Sequence, residues 1–280
     1  MAGDRQRARI MITVKTYPEL SSKYRETSCV AGIRLDQGRP QHVRLFPVPF
    51  RLLEQSAQFT KYSIIEVDVR PHHGDRRPES LRPDLETLEV IEQLPTSDGW
   101  KRRYSYVEPL VARSLCAIKR DQETNGTSLG IFRPTEITDF RLTEAEPWPA
   151  GKAALADQLD LFDQDLRRLE WVPFEFRYRF RCADDACTGH DMGLKDWEAG
   201  ESYRKFRRTY GGTGRPGQAA RAVVRAHGHP GSGGPLLRRQ HRCASTNVHA
   251  VGALLPPAEG RRLRPGRPVL RIDGAGVRQL

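Results

Sequence analysis

The chain changes character after Tyr210. From Gly211 to Leu280 there is no Phe, Tyr, Trp, Lys or Met, while twelve arginines and thirteen of the 24 glycines fall there. Such a stretch offers too little apolar surface to offset the entropy of ordering it. A folded core must therefore be built from residues 1–210, and 211–280 reads as a disordered basic tail. With only Glu259 and Asp273 as acids, the tail carries +10 of the formal +11. Residues 1–210 hold 34 basic and 33 acidic side chains, so the body is nearly neutral and its net charge does not argue for a polyanionic partner.

Arg, Gly, Pro and Ala are the residues of GC-rich codons, and the tail looks like a GC-rich gene read out of frame from about Gly211–Gly217. Taking the last two bases of each codon with the first of the next, "PLLRRQ" (235–240) followed by His241 permits His-Phe-Phe-Val-Gly-Asn. "VGALLPP" (251–257) permits Trp-Ala-Leu-Phe-Tyr-Pro. Both are aromatic, strand-like strings of the kind the tail lacks.

No apolar run approaches the roughly eighteen residues that span a bilayer. The first residues carry charge without an apolar signal region. Five unevenly spaced cysteines do not form a disulfide framework. A reducing cytoplasm, with no membrane association, is the expectation.

Within the body, "RIMITVKTY", "SCVAGIRL", "QHVRLFPVPF" and "YSIIEVDVRP" alternate as strands do, the third ended by Pro47 and Pro49. "LLEQSAQF" reads as a short helix and "LETLEVIEQL" as another strand. Short strands with few helices between them predict a small barrel. "GWKRRYSYVEPLVARSLCAIKRDQ" has helical spacing through Val107, Leu110, Val111, Leu115 and Ile118, which predicts one long helix. In "FEFRYRFRC", Phe174, Phe176, Tyr178 and Phe180 alternate with Glu175, Arg177, Arg179 and Arg181, as in a half-buried strand. "LKDWEAGESYRKFRR" reads as a helix capped by Asp196, with Trp197, Tyr203 and Phe206 towards its packing face.

The expected class is α+β. A β-rich, barrel-like domain with one long helix occupies 1–145, and a linker with a short helix occupies 146–172. A second small β/α domain (strand, Cys/His turn, helix) covers 173–210, and the disordered tail covers 211–280.

"RCADDACTGHD" places Cys182, Cys187 and His190 within nine residues, three soft ligands of a candidate zinc turn. Structural zinc takes four ligands, and the fourth is not local. The shifted reading offers a histidine before its Phe-Phe strand. In the chain as it stands His227, His229, His241, Cys243 and His249 are nominal candidates, and Asp184, Asp185 and Asp191 are nearer but harder donors. Two packed cysteines with His190 facing water explain the turn equally well.

Other sites compete. Glu66, Asp68, His73, Asp75 and Glu79 could hold a metal for phosphodiester or nucleotide chemistry, with Arg76, Arg77 and Arg82 as phosphate clamps, or form a salt-bridged loop. Lys15, Tyr17, Lys23, Tyr24 and Arg44 could line a nucleotide groove or be ordinary strand residues. Arg44, Arg177, Arg179 and Arg181 are the arginines best suited to DNA or RNA. Gln158, Leu159, Asp160, Leu161 and Phe162 spell QLDLF, which looks like the pentapeptide by which bacterial replication and repair proteins bind the sliding clamp. The same residues fit an amphipathic helix with Leu155, Leu159, Phe162, Leu166 and Leu169 on one stripe.

"KTYPELSSKYRETSCVAGI", "VRLFPVPF", "RRPESLRPD" and "FRYRFRCADDACTGHDMGLKDWEAGESYRKF" resemble two blocks of a family of uncharacterised bacterial proteins. The resemblance covers about residues 11–210 and then stops. It implies no activity. The strand pattern with its proline-rich turn is also similar to PUA-like barrels, which implies nucleic-acid recognition by analogy of fold. Three functions follow as expectations: a nucleic-acid-binding module with a zinc-braced second domain, a metal-dependent phosphodiester or nucleotide enzyme, or a sliding-clamp adaptor.

Overall fold

The computed structural model of the chain describes residues 5–162, 169–209, 236–240 and 248–250. In chain order the elements are β1 (Gln6–Lys15), β2 (Glu19–Ser21), β3 (Arg25–Arg34), β4 (Gln41–Val48), β5 (Ser63–Pro71), β6 (Ser80–Gln93), α1 (Lys101–Val107), β7 (Val111–Ala112), α2 (Leu115–Asn125), β8 (Leu129–Phe132) and β9 (Pro134–Glu144). They continue with α3 (Ala150–Phe162), β10 (Phe174–Cys182), β11 (His190–Leu194), α4 (Trp197–Thr209), β12 (Leu236–Gln240) and β13 (Val248–Ala250).

The expected barrel is present. β1 pairs with both β3 and β5, and β5, β6, β4 and β3 complete a five-strand ring, with β2 added at its edge. Period-2 alternation turns Ile10, Ile12, Val30, Leu45, Ile65 and Val67 into one interior cluster. A register shift between Ile12 and Val14 interrupts β1. Lys15 follows it, and its ammonium reaches the Phe50 and Phe59 rings of that cluster.

The second sheet has the order β7-β8-β12-β13-β11-β10-β9. The predicted aromatic face of β10 is core: Phe176, Tyr178 and Phe180 pack with Phe132 and Tyr203. Barrel and second sheet share a further cluster, in which Met11, Ala31, Ile33 and Ile64 meet Leu129 and Ile131 of β8.

Several expectations change. The single long helix is two, because Pro109 lies in a 3-10 turn over Glu108–Leu110 and Ser114 then caps α2, accepting a hydrogen bond from Ala117 N at 3.0 Å. The expected helix near residue 55 is a pair of 3-10 turns, Phe50–Leu52 and Gln55–Ala57. β4 runs on through Pro47 to Val48, and β6 begins at Ser80, inside what read as a polar loop. The boundary drawn at 145 does not follow the sheets, since β7, β8 and β9 belong to the second one; their strand periodicity resembles that of the barrel and carries no signal of partner. Within 211–280, residues 236–240 and 248–250 are strands, β12 pairing with β8 in the place where the shifted reading gives Phe-Phe-Val. The rest of the tail lies outside the described residues. Among the described residues no helix is long and apolar enough to cross a membrane.

Candidate metal centre and barrel furrow

Cys182 closes β10, and eight residues later His190 opens β11. The turn between them is tied by Asp184 N to Cys182 O (2.8 Å) and Cys187 N to Asp184 O (2.9 Å). Gly189, at φ +102°, takes a backbone conformation that side chains resist and brings the chain back onto β11. The two cysteines and the histidine therefore converge as the sequence implied.

The fourth member of the cluster is Cys116, on the first turn of α2. Its thiol lies 3.7 Å from Cys182 Sγ and 3.6 Å from His190 Nε2. His190 Nε2 is 3.2 Å from Cys182 Sγ and 3.3 Å from Cys187 Sγ. All four ligand atoms lie within 4.8 Å of one another, and the group could hold a metal ion. Among the described residues it is the one group of His, Cys, Asp or Glu so arranged. The earlier candidates fall in two groups. His227, His229, His241 and Cys243 lie outside the described residues, as does the side chain of His249 in β13. Asp191 is taken by Arg141, Arg177 and Arg179. Asp184 is an orienting group instead: its carboxylate accepts from Ser114 Oγ (3.2 Å) and Arg120 (2.9 Å), holding the turn to the start of α2.

The electrostatics suit a cation. Burial, with Cys182 beside it, pushes the Cys116 thiol up to about 12, whereas the Cys182 N–H lowers that of Cys187. A divalent ion among the four groups would favour the thiolate form of each cysteine.

The arginines do not form the expected nucleic-acid face. Arg44 is 2% exposed, donates to Cys29 Sγ at 3.0 Å and pairs with Asp75. It is an internal tie of the barrel, because a guanidinium facing inward must find acceptors there. On the outer face of β9, β10 and β11, Arg141, Arg177, Arg179 and Arg181 meet four acids. Arg179 stands opposite Asp139, and Arg181 opposite Glu136, while Asp191 and Glu175 pair with Arg177. That patch is charge-balanced rather than basic.

The carboxylates singled out near residue 70 are dispersed too. Glu66 and Asp68 join a ladder of ion pairs with Arg5, Arg7 and Arg9. Asp75 is held by Arg77, Ser80 and Arg44, which outweigh burial and keep its carboxyl well below the usual range. Glu79 accepts from Ser128 N (2.7 Å) and Oγ (2.5 Å), joining barrel to β8. His73 lies in a groove apart from Asp75 and Glu79. These five do not converge on one metal.

The barrel mouth carries a furrow that sequence reasoning saw in part. A groove of about 1200 Å³ is lined by Tyr24, Arg70, His73 and Arg82 among others. Tyr24 also borders a second hollow of about 650 Å³, walled by Thr27, Cys29, Phe46 and the start of α3 at Gly151 and Lys152. Glu19 and Lys152 in turn border a third hollow of about 610 Å³. Tyr24 meets Phe46 edge-on (5.9 Å between centroids) and Phe46 lies 6.0 Å from the His72 ring. Gln158 to Phe162 form the last turn of α3, and their side chains lie outside those described. Leu155 and Ala156 of the same helix pack with Leu20 and Leu169.

Lys15 and Tyr17 meet the second domain, and Tyr17 also lines the third hollow. Lys15, 5% exposed, donates to Phe59 O (2.9 Å) and lies over the Phe50 ring at 3.7 Å, with Trp197 beyond. Tyr17 N donates to Lys195 O (3.1 Å), its hydroxyl donates to Glu170 O (2.7 Å), and Lys61 holds Asp196 at 2.6 Å. Asp196 Oδ1 in turn accepts from Glu198 N at 3.1 Å, as the cap expected of it.

The class defined by this arrangement is a two-part α+β protein, a five-strand barrel joined to a sheet that carries a Cys3His cluster. Residues 6–109 match the family described as Domain of unknown function (DUF8758), and residues 111–225 match Domain of unknown function (DUF8757). The chain thus belongs to an uncharacterised family made of these two domains, whose boundary at 109–111 is where the first sheet gives way to the second. The second match runs past 210, where the resemblance had been expected to end. No curated protein matches the chain.

Proposed function

We propose that the protein is a zinc-braced module that binds single-stranded nucleic acid. Three thiols and one imidazole are a donor set that favours zinc over harder cations. Zinc–sulfur bonds of about 2.3 Å in a tetrahedron put sulfurs about 3.8 Å apart, and the Cys116–Cys182 separation of 3.7 Å agrees. Four protein ligands leave no open position, so the metal is a brace and not a catalyst.

The observation that carries the binding reading is the furrow across Tyr24. A polymer needs a continuous path, and Tyr24 lines both the groove of about 1200 Å³ and the hollow of about 650 Å³. Arg5 occupies Asp68 and Asp84 along it, and Arg70 and Arg82 form no ion pair among the described residues, with exposed Glu86 the remaining acid of the lining. Aromatic edges for bases beside cations for phosphates are what a strand requires. The test is fluorescence anisotropy with labelled single-stranded DNA and RNA over a salt series, with metal content measured in parallel. Expected are one zinc per chain and binding that weakens as salt rises. Tyr24→Ala should weaken it about tenfold, within the ~1–3 kcal/mol of a base–aromatic stack. Zinc-loaded protein that binds neither strand at low salt would overturn the reading.

A further inference from the structure

The third hollow differs in chemistry from the other two. It lies between the barrel edge and the second sheet, and two of the four tryptophans, Trp148 and Trp171, line it while remaining part-exposed. Tyr17 and Phe174 complete an aromatic wall. Large rings held half-open on a concave surface are uncommon unless something covers them. The rim is acidic. Glu19, Glu144 and Glu146 line it, all exposed, and none has an ion-pair partner among the described residues. Glu175 and Asp196 also border it but are occupied by Arg177 and Lys61, and Lys152 and Lys195 are the cations present. Three unpaired carboxylates around aromatic walls repel phosphate and attract positive charge.

We infer that this hollow binds a weakly hydrated organic cation, one whose charge is spread over an N-alkylated heteroaromatic ring or an alkylated ammonium. The reason is a balance of hydration. A compact, strongly hydrated ion gains little from indole faces, whereas a diffuse or alkylated cation loses little water on entering and gains both ring quadrupole and carboxylate attraction. A volume of about 610 Å³ suits a single such group and not a chain of them. The inference stands apart from the nucleic-acid reading, because neutral oligonucleotide bases and Tyr24 play no part in it.

The experiment uses the full chain with its metal, read by tryptophan fluorescence and titration calorimetry. The probes are 7-methylguanosine against guanosine, and trimethyl-lysine against lysine. The expected result is at least tenfold tighter binding of one alkylated member than of its parent, and the member that binds identifies the source of the cation. Trp171→Ala should lose that binding. Glu144→Gln with Glu146→Gln, which preserves shape and cannot unfold the wall, should weaken it several-fold at unchanged metal content and circular dichroism. Equal affinity for alkylated and parent probes, no binding of either, or Gln variants that bind as tightly as the native chain would each overturn the inference. Tyr24→Ala should leave this binding unchanged while it weakens strand binding.

Discussion

Cys116 sits 66 residues before its partner Cys182, in a stretch whose helical period gives it no distinction from its neighbours. The three ligands near residue 185 were legible because a turn brings them together locally. The fourth was not, because it depends on α2 packing against a sheet whose strand order no local pattern encodes. Cys116→Ser should lower zinc affinity by at least tenfold in a chelator competition, and Asp184→Asn should lower it less, through a loosened turn. Lys15 makes a second residue-scale prediction. Burial lowers its ammonium to about 8 against the pull of Glu198 and Asp196, below its ordinary value of 10.5. Between those pH values the unfolded chain holds the proton and the folded chain does not, so stability should rise with pH from 8 towards 10. Lys15→Met should flatten that rise in denaturant melts run at pH 7 to 10; an unchanged slope would mean the ammonium is well solvated.

Among the elements, strands were the most legible, since two-residue alternation in β5 and β10 reports a buried face directly. What alternation does not report is the partner across the ladder. The arginines of β10 were therefore visible, whereas the acids of β9 that neutralise them were not. Two glycines show how tightly the elements meet. A Cβ on Gly130 of β8 would lie 2.7–2.9 Å from three side-chain carbons of Ile118, a β-branched residue with little freedom in α2. Gly130→Ala should thus push α2 and its Cys116 outward, costing about 1–3 kcal/mol in denaturant unfolding and weakening metal binding together. A Cβ on Gly200 of α4 would lie 2.4 Å from Cδ2 of Tyr17, whose hydroxyl is fixed on Glu170. Gly200→Ala should cost a similar ~1–3 kcal/mol at the domain junction but leave metal affinity intact. Equal loss of metal in both variants would contradict this separation.

At the scale of the whole molecule, the barrel and the second sheet share the cluster around Met11 and Ile131, so they should unfold together rather than in turn. Removing the metal should lower a single melting transition, by an amount that follows free zinc concentration. The sheet order adds an asymmetry. β8 and β9 are consecutive in sequence, yet β12, β13, β11 and β10 stand between them. The sheet is therefore two leaves, β7–β8 with α2 on one side and β11–β10–β9 on the other, and the strands that bridge them come last in the chain. On the ribosome, all four ligands have emerged by His190, well before Leu236. A metal held by them would act as a jig, fixing the width of the slot into which β12 and β13 are later laid. A chain that stops short of Leu236 loses the bridge, and its leaves then meet through the Phe132–Phe180 packing, the Asp184 bonds to Ser114 and Arg120, and the Cys3His cluster.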